Sequence, residues 1–142
     1  MQLKSTGIVV CGVLLITSGF WMAGQANAAP AKAPKFKLTA ASKGKTYTIN
    51  KGDTFTVTLA SNPTTGYQLH MVLDGSEPFS LVSKTYKSDP NPDGAVGVGG
   101  NYTFTFKANK AGEGEVIFVN IQKFNLDTLK SSTPWNASIT VK

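Results

Sequence analysis

The sequence predicts an all-β protein built as a two-sheet sandwich. Apolar residues recur at every second position in several short segments, and turns rich in Gly, Asn and Asp separate them. No stretch carries the period of an amphipathic helix. Along the chain, Tyr47 and Ile49 mark an early strand, with Phe36 to Thr39 as an optional strand before it. The turn Lys51-Gly52-Asp53 leads into the clearest segment, Thr54 to Ala60, where Phe55, Val57 and Leu59 alternate with Thr54, Thr56 and Thr58. Tyr67, Leu69, Met71 and Leu73 then share one face, and Asp74-Gly75 ends the run. Phe79 to Lys87 is the next strand. Asn101 to Ala108 follows, with Tyr102, Phe104 and Phe106 on one side, and Asn109 to Gly112 forms a turn. Glu115 to Lys123 contains Val116-Ile117-Phe118-Val119, whose weak alternation predicts a strand covered on both faces or central in its sheet. The last strand turns Trp135, Ala137, Ile139 and Val141 inward. About seven such strands favour an immunoglobulin-like β-sandwich, with a small barrel as the alternative.

Composition narrows the function classes. Lys4, the apolar stretch Ile8 to Ile16 and the small residues Ala26-Asn27-Ala28 read as a secretory signal over residues 1–28, with cleavage before Ala29. Residues 29–142 are then a single domain, exported to the periplasm or secreted. Cys11 lies within the apolar stretch, so lipidation there is not expected. The exported domain has no Cys, hence no disulfide and no thiol for catalysis or metal binding. Its 13 Lys against 8 acidic residues give a charge of +5, spread along the chain, and it contains no Arg. Bidentate reading of guanine is therefore impossible, and no basic patch interleaved with aromatics argues for nucleic acid.

Three connections stand out. The hexapeptide Asn62-Pro63-Thr64-Thr65-Gly66-Tyr67 is stiff before it binds anything, because Pro63 fixes its own φ, biases Asn62 toward extended geometry, and precedes a permissive Gly66. Ser88 to Gly100 is long and holds Pro90, Pro92, Gly94 and Gly97-Val98-Gly99-Gly100, a tetrapeptide whose backbone a partner could approach closely. Phe124 to Pro134 delivers Thr133-Pro134-Trp135, in which Pro134 stiffens the start of a strand and Trp135 could present a flat aromatic anchor. Each alone also fits an ordinary role: a decorated loop, a flexible hairpin end, and a core or rim Trp. In sandwich order the three are alternate connections, which fall at the same end.

These motifs, in this order and covering essentially the whole mature domain, resemble the chagasin-type inhibitors of papain-like cysteine proteases. Asn62 to Tyr67 matches that family's first loop in full, and Gly97 to Gly100 matches its Gly-x-Gly-Gly second loop. The third, basic-Pro-Trp, is matched at Pro134 and Trp135 only, with Thr133 where the family usually has Arg or Lys. The resemblance implies an immunoglobulin-like sandwich that blocks a protease cleft and is not processed as substrate. Thr64 and Thr65 would lie over the catalytic Cys and His and offer hydroxyl and backbone hydrogen bonds. Asn62 would tie the first loop to itself, and Tyr67 would pack at its base. The second loop would pair its backbone with the protease main chain, and Trp135 would anchor the other side. Thr133 puts target range in doubt, with Lys130 the nearest basic residue in sequence.

The implied partner is a papain-like cysteine protease. No cofactor, nucleic acid, membrane contact after signal cleavage or second copy of the chain is expected. Enzymatic activity is disfavoured: the exported domain has one His and no Cys, so Cys-His catalysis and multi-His metal sites are excluded. His70, between Leu69 and Met71, reads as a surface strand residue. The rival function is an exported adhesion or carbohydrate-binding module on the same sandwich.

Overall fold

The computed structural model describes residues 33–122, 127 and 132–142. The expected signal at 1–28, Cys11, Lys123, Lys130 and most of the connection from Phe124 lie outside the described residues. Within them the chain forms eight strands: β1 (Phe36–Leu38), β2 (Thr46–Ile49), β3 (Thr54–Ser61), β4 (Tyr67–Val72), β5 (Phe79–Ser88), β6 (Gly100–Ala108), β7 (Gly112–Gln122) and β8 (Trp135–Val141). The optional strand before Tyr47 is thus real, and the count is eight where about seven were expected.

Two four-stranded sheets face each other. One has the order β1-β3-β6-β5 and the other β2-β8-β7-β4. All pairings are antiparallel except β1 with β3 and β2 with β8. The two parallel pairs arise because the chain leaves the first sheet after β1, crosses at Thr39 to Lys45 through a 3-10 turn at Ala40–Ser42, and joins the second sheet as β2. Ser42 is buried in this crossing and accepts the Thr39 N–H on its hydroxyl at 3.2 Å.

The alternation in β3 sends Phe55, Val57 and Leu59 into the space between the sheets, while Thr54, Thr56 and Thr58 line the outer face. Phe55 stacks on Phe106 at 5.0 Å, and Phe79 meets both rings edge-on at 5.5 and 5.8 Å. Phe104 of the first sheet lies 4.4 Å from Phe118 of the second, joining the layers. Such aromatic contacts add to the burial of the rings themselves. As the weak alternation predicted, β7 is central, between β8 and β4, although it begins at Gly112, inside the expected turn. Beyond Phe79, β5 is exposed along its length. A register shift between Leu81 and Ser83 and the inward-facing Lys84, 4.6 Å above the Tyr102 ring, blunt this edge against strand addition.

Register places the connections. Gly100 lies opposite both Ser61 and Ser88, and Tyr67 lies opposite Gln122. The β3–β4, β5–β6 and β7–β8 connections therefore leave from one end of the sandwich, as the strand order predicted. Both the Ala33 end and Lys142 lie at the opposite pole: the Lys35 N–H is bonded to Thr54, and Lys51 and Lys142 each bond across the β2–β8 pair.

Candidate functional site

Asn62 organises the first segment. Pro63–Thr65 forms a single 3-10 turn closed by Gly66, whose φ of 85° is left-handed and suits a residue without a Cβ. The Asn62 carbonyl accepts the Thr65 N–H at 3.2 Å and the Thr65 hydroxyl at 2.8 Å, and its side-chain oxygen accepts the Thr64 hydroxyl. Asn62 thus ties the loop to itself, as the resemblance implied. A further bond was not legible in the sequence: Asn62 Nδ2 donates to the Gly97 carbonyl at 2.6 Å, across 35 residues. The first and second segments are one hydrogen-bonded unit. Thr64 and Thr65 are exposed, but their hydroxyl protons are committed to Asn62. Their hydroxyl oxygens keep lone pairs that can still accept a hydrogen bond. Tyr67 is half-buried at the start of β4, at the base of the loop.

The second segment is braced at its base, where the Asp89 N–H donates to Gly99 at 3.0 Å and Asn101 Nδ2 donates to the Asp89 carboxylate at 3.2 Å. Its glycines have different tasks. Gly97 turns the chain with a φ of 79°. Gly100 is buried in β6, and a Cβ there would come within 2.4 Å of the Lys87 carbonyl oxygen. It is required by the β5–β6 pairing, a reason internal to the fold. Replacing Gly100 by Ala should lower unfolding stability by about 1–3 kcal/mol, read by urea titration. A variant as stable as the parent would show that β5 yields freely.

Between the two segments lies an open groove of ≈ 530 Å³ lined by Thr64, Ser88, Asp89, Asn91, Ala95 and their neighbours through Val98. Val96 and Asn91 fall outside the glycine motif and were missed by it; the signal available was an apolar residue amid a Pro, Gly and Asp loop.

The third segment differs from expectation. Thr133 and Pro134 are exposed, but Trp135 is only 8% exposed. It opens β8 opposite Phe118, four residues back from the end of β7 at Gln122. Its ring packs on Phe118 at 5.8 Å, and its indole N–H donates to the Thr39 carbonyl at 3.1 Å. The indole is a core residue in this structure, and the exposed anchor anticipated from the sequence is corrected accordingly. Alternation explains it: Trp135 has the parity of the inward residues Ala137, Ile139 and Val141. The strand ends bring the third segment to the same pole as the others, with the Gln122 side chain 3.6 Å from where a Cβ on Gly66 would stand.

His70 is exposed on β4, as expected of a surface strand residue. The Asp74 carboxyl is held below its ordinary range by hydrogen bonds from the Ser76 hydroxyl and backbone N–H, and it lies beyond β4 at the opposite pole. The first and second segments are thus joined by the Asn62–Gly97 bond at one pole of the sandwich.

Comparison with known proteins shows the family. The family described as "Chagasin family peptidase inhibitor I42" matches residues 48–139. Amoebiasin-1 of Entamoeba histolytica is 35% identical over 82 residues, covering 58% of this chain and 78% of that protein. The solution structure of Amebosin aligns with a TM-score of 0.58 at 30% identity, over 77% of this chain and 99% of the other. The crystal structure of EhICP2, a cysteine protease inhibitor from Entamoeba histolytica, shares the fold with a TM-score of 0.62 at 23% identity, over 77% and 99%.

Proposed function

The chain belongs to the chagasin family of peptidase inhibitors, and we propose from that premise that it is an exported, reversible inhibitor of papain-like cysteine proteases that fills the active-site cleft. This is a family of inhibitors, and the chain is not an enzyme. The observation that carries the reading is the first segment. Its motif from Asn62 to Tyr67 is complete, folded as a 3-10 turn and hydrogen-bonded to the second segment at Gly97.

The physical argument is one of preorganisation. Ordering flexible chain on docking costs roughly 1–2 kcal/mol per residue fixed, and a loop already held by Asn62, Pro63 and Gly66 avoids much of that cost. The turn would also disfavour cleavage. A protease cleft binds its substrate as extended chain, whereas Pro63–Thr65 is a closed turn whose Pro63 carbonyl is taken by the Gly66 N–H. In the complex, the Thr64 and Thr65 oxygens would accept hydrogen bonds near the catalytic Cys and His. Gly97, Val98, Gly99 and Gly100 would flank one side with backbone groups, Gly100 by fixing the loop base. Thr133 and Pro134 would contact the other side, with Trp135 supporting them from beneath. Residues 1–28 are read as the export signal.

The test is to express the chain with its leader, confirm Ala29 as the first residue of the exported protein, and titrate the protein against several papain-like proteases. Tight, reversible, stoichiometric inhibition with no cleavage between Asn62 and Tyr67 is expected. Folded protein that inhibits none of them would sink the proposal and favour a binding module whose ligand is elsewhere.

A further inference from the structure

Along its inward side β3 carries Phe55, Val57, Leu59 and then Ser61, a hydroxyl where the alternation calls for an apolar side chain, and only 7% exposed. A larger apolar residue there would keep more surface from water, so the core alone does not account for the serine. Its neighbours are the bases of all three connections. Ser61 pairs with Gly100, where the second segment enters β6, and its carbonyl oxygen lies 3.5 Å from where a Cβ on Gly99 would stand. Across the sandwich its hydroxyl faces two acceptors of the other sheet, the Asn120 side-chain oxygen at 3.3 Å and the Tyr67 carbonyl at 3.5 Å. Tyr67 closes the first segment, and Asn120 stands just before the end of β7 at Gln122, where the third connection begins. Both distances are long for O–H···O bonds, as when one proton is shared between two acceptors. The hydroxyl therefore adds little to global stability.

Resting on the inhibitor reading above, we propose that Ser61 is a positioning residue, whose hydroxyl ties the two sheets together beneath the motif and fixes the spacing of the three connections. Asn62 follows it directly, so the spacing set at Ser61 is the one from which Asn62 reaches the Gly97 carbonyl. The arrangement serves a rigid cleft that engages the connections at once. Contacts carried on one body reinforce one another only while their geometry allows simultaneous engagement. A weak polar tie is enough for this, because it has only to select one arrangement of a sandwich that is already folded. An apolar side chain would gain burial but hold neither acceptor, leaving the first segment free to shift against β7. Local departures from the core pattern that sacrifice stability are expected at functional positions.

The isosteric pair Ser61→Thr and Ser61→Val separates the hydroxyl from the packing. Full-chain variants are compared by inhibition constant and dissociation rate against a papain-like protease that the wild type inhibits, and by urea unfolding midpoint. Ser61→Thr should inhibit like wild type. Ser61→Val should unfold at the same or a higher urea concentration, yet inhibit about fivefold to tenfold less tightly, the scale of one hydrogen bond, chiefly through faster dissociation. Asn120→Ala should weaken inhibition to a similar degree and add little in the Ser61→Val background, since two residues acting through one bond are not additive. Ser61→Val inhibiting like Ser61→Thr would overturn the role of the hydroxyl, as would Ser61→Thr inhibiting as weakly as Ser61→Val. Inhibition that falls only in step with the unfolding midpoint would make Ser61 a structural residue and overturn the proposal as well. Fully additive losses would overturn the tie to Asn120. Wild type that inhibits no papain-like protease would instead overturn the inhibitor reading itself.

Discussion

Trp135→Ala is expected to lower unfolding stability by about 3–5 kcal/mol, the range for truncating a large buried aromatic side chain. In the sequence the residue starts the last strand beside a loop, with inward parity and a motif that suggests an exposed anchor. In the structure its ring continues the aromatic contact from Phe104 to Phe118, and its N–H reaches the Thr39 carbonyl where the chain leaves β1. Trp135 belongs to one sheet and Thr39 follows a strand of the other, so truncation would open a cavity and release a tie between the layers. For a domain of this size the melting temperature should fall by roughly 15 °C or more. Trp135→Phe, which keeps most of the packing and loses the N–H bond, should cost only about 1–2 kcal/mol. Far-UV circular dichroism is the suitable readout, because the variants lose the domain's indole fluorescence. An alanine variant within about 1 kcal/mol of wild type would mean that the ring is free to act as a contact anchor. Reduced inhibition by Trp135→Ala therefore cannot by itself be assigned to a lost contact; Trp135→Phe separates the two effects.

What the sequence disclosed and what it withheld follow from the range of the interactions. Strands such as Thr54–Ser61 were legible because alternation is local and burial on one face enforces it. β1 was harder, since three residues carry too little pattern and its parallel partner β3 is set by the crossover to the second sheet. The common end of the three connections was legible from strand order alone. The chemistry within that end was not: the Asn62 bond to Gly97 spans 35 residues and depends on two loops meeting in space. Gly100 illustrates the same limit. A glycine reads alike whether a partner or the molecule's own Lys87 carbonyl occupies the space of its missing Cβ. For Trp135 the inward parity was visible, yet the anchor expectation came from the motif, and parity won because β8 begins at that residue.

Asn62→Ala should weaken inhibition about a hundredfold while leaving unfolding nearly unchanged. The side chain is only half-buried, so its removal leaves no core cavity. It does release both the Thr64 hydroxyl and the Gly97 carbonyl, and the two segments would then have to be ordered at the moment of docking. Restoring that order costs about 2–3 kcal/mol if two residues' worth of backbone freedom is regained, which corresponds to the stated factor. Asn62→Asp discriminates between the two bonds. The carboxylate still accepts from Thr64 but faces the Gly97 carbonyl with a second acceptor, so the loops should part and inhibition should be as weak as in the alanine variant. Protonating that carboxyl restores a donor toward Gly97. Because the carbonyl stabilises the protonated form, its pKa should lie above the usual Asp value of about 3.9. Inhibition by Asn62→Asp relative to wild type should therefore recover as pH falls through that value and be lost again as pH rises. A flat ratio across pH 3.5–7, or an aspartate variant equal to wild type at neutral pH, would mean that the bond between the two loops does not govern inhibition.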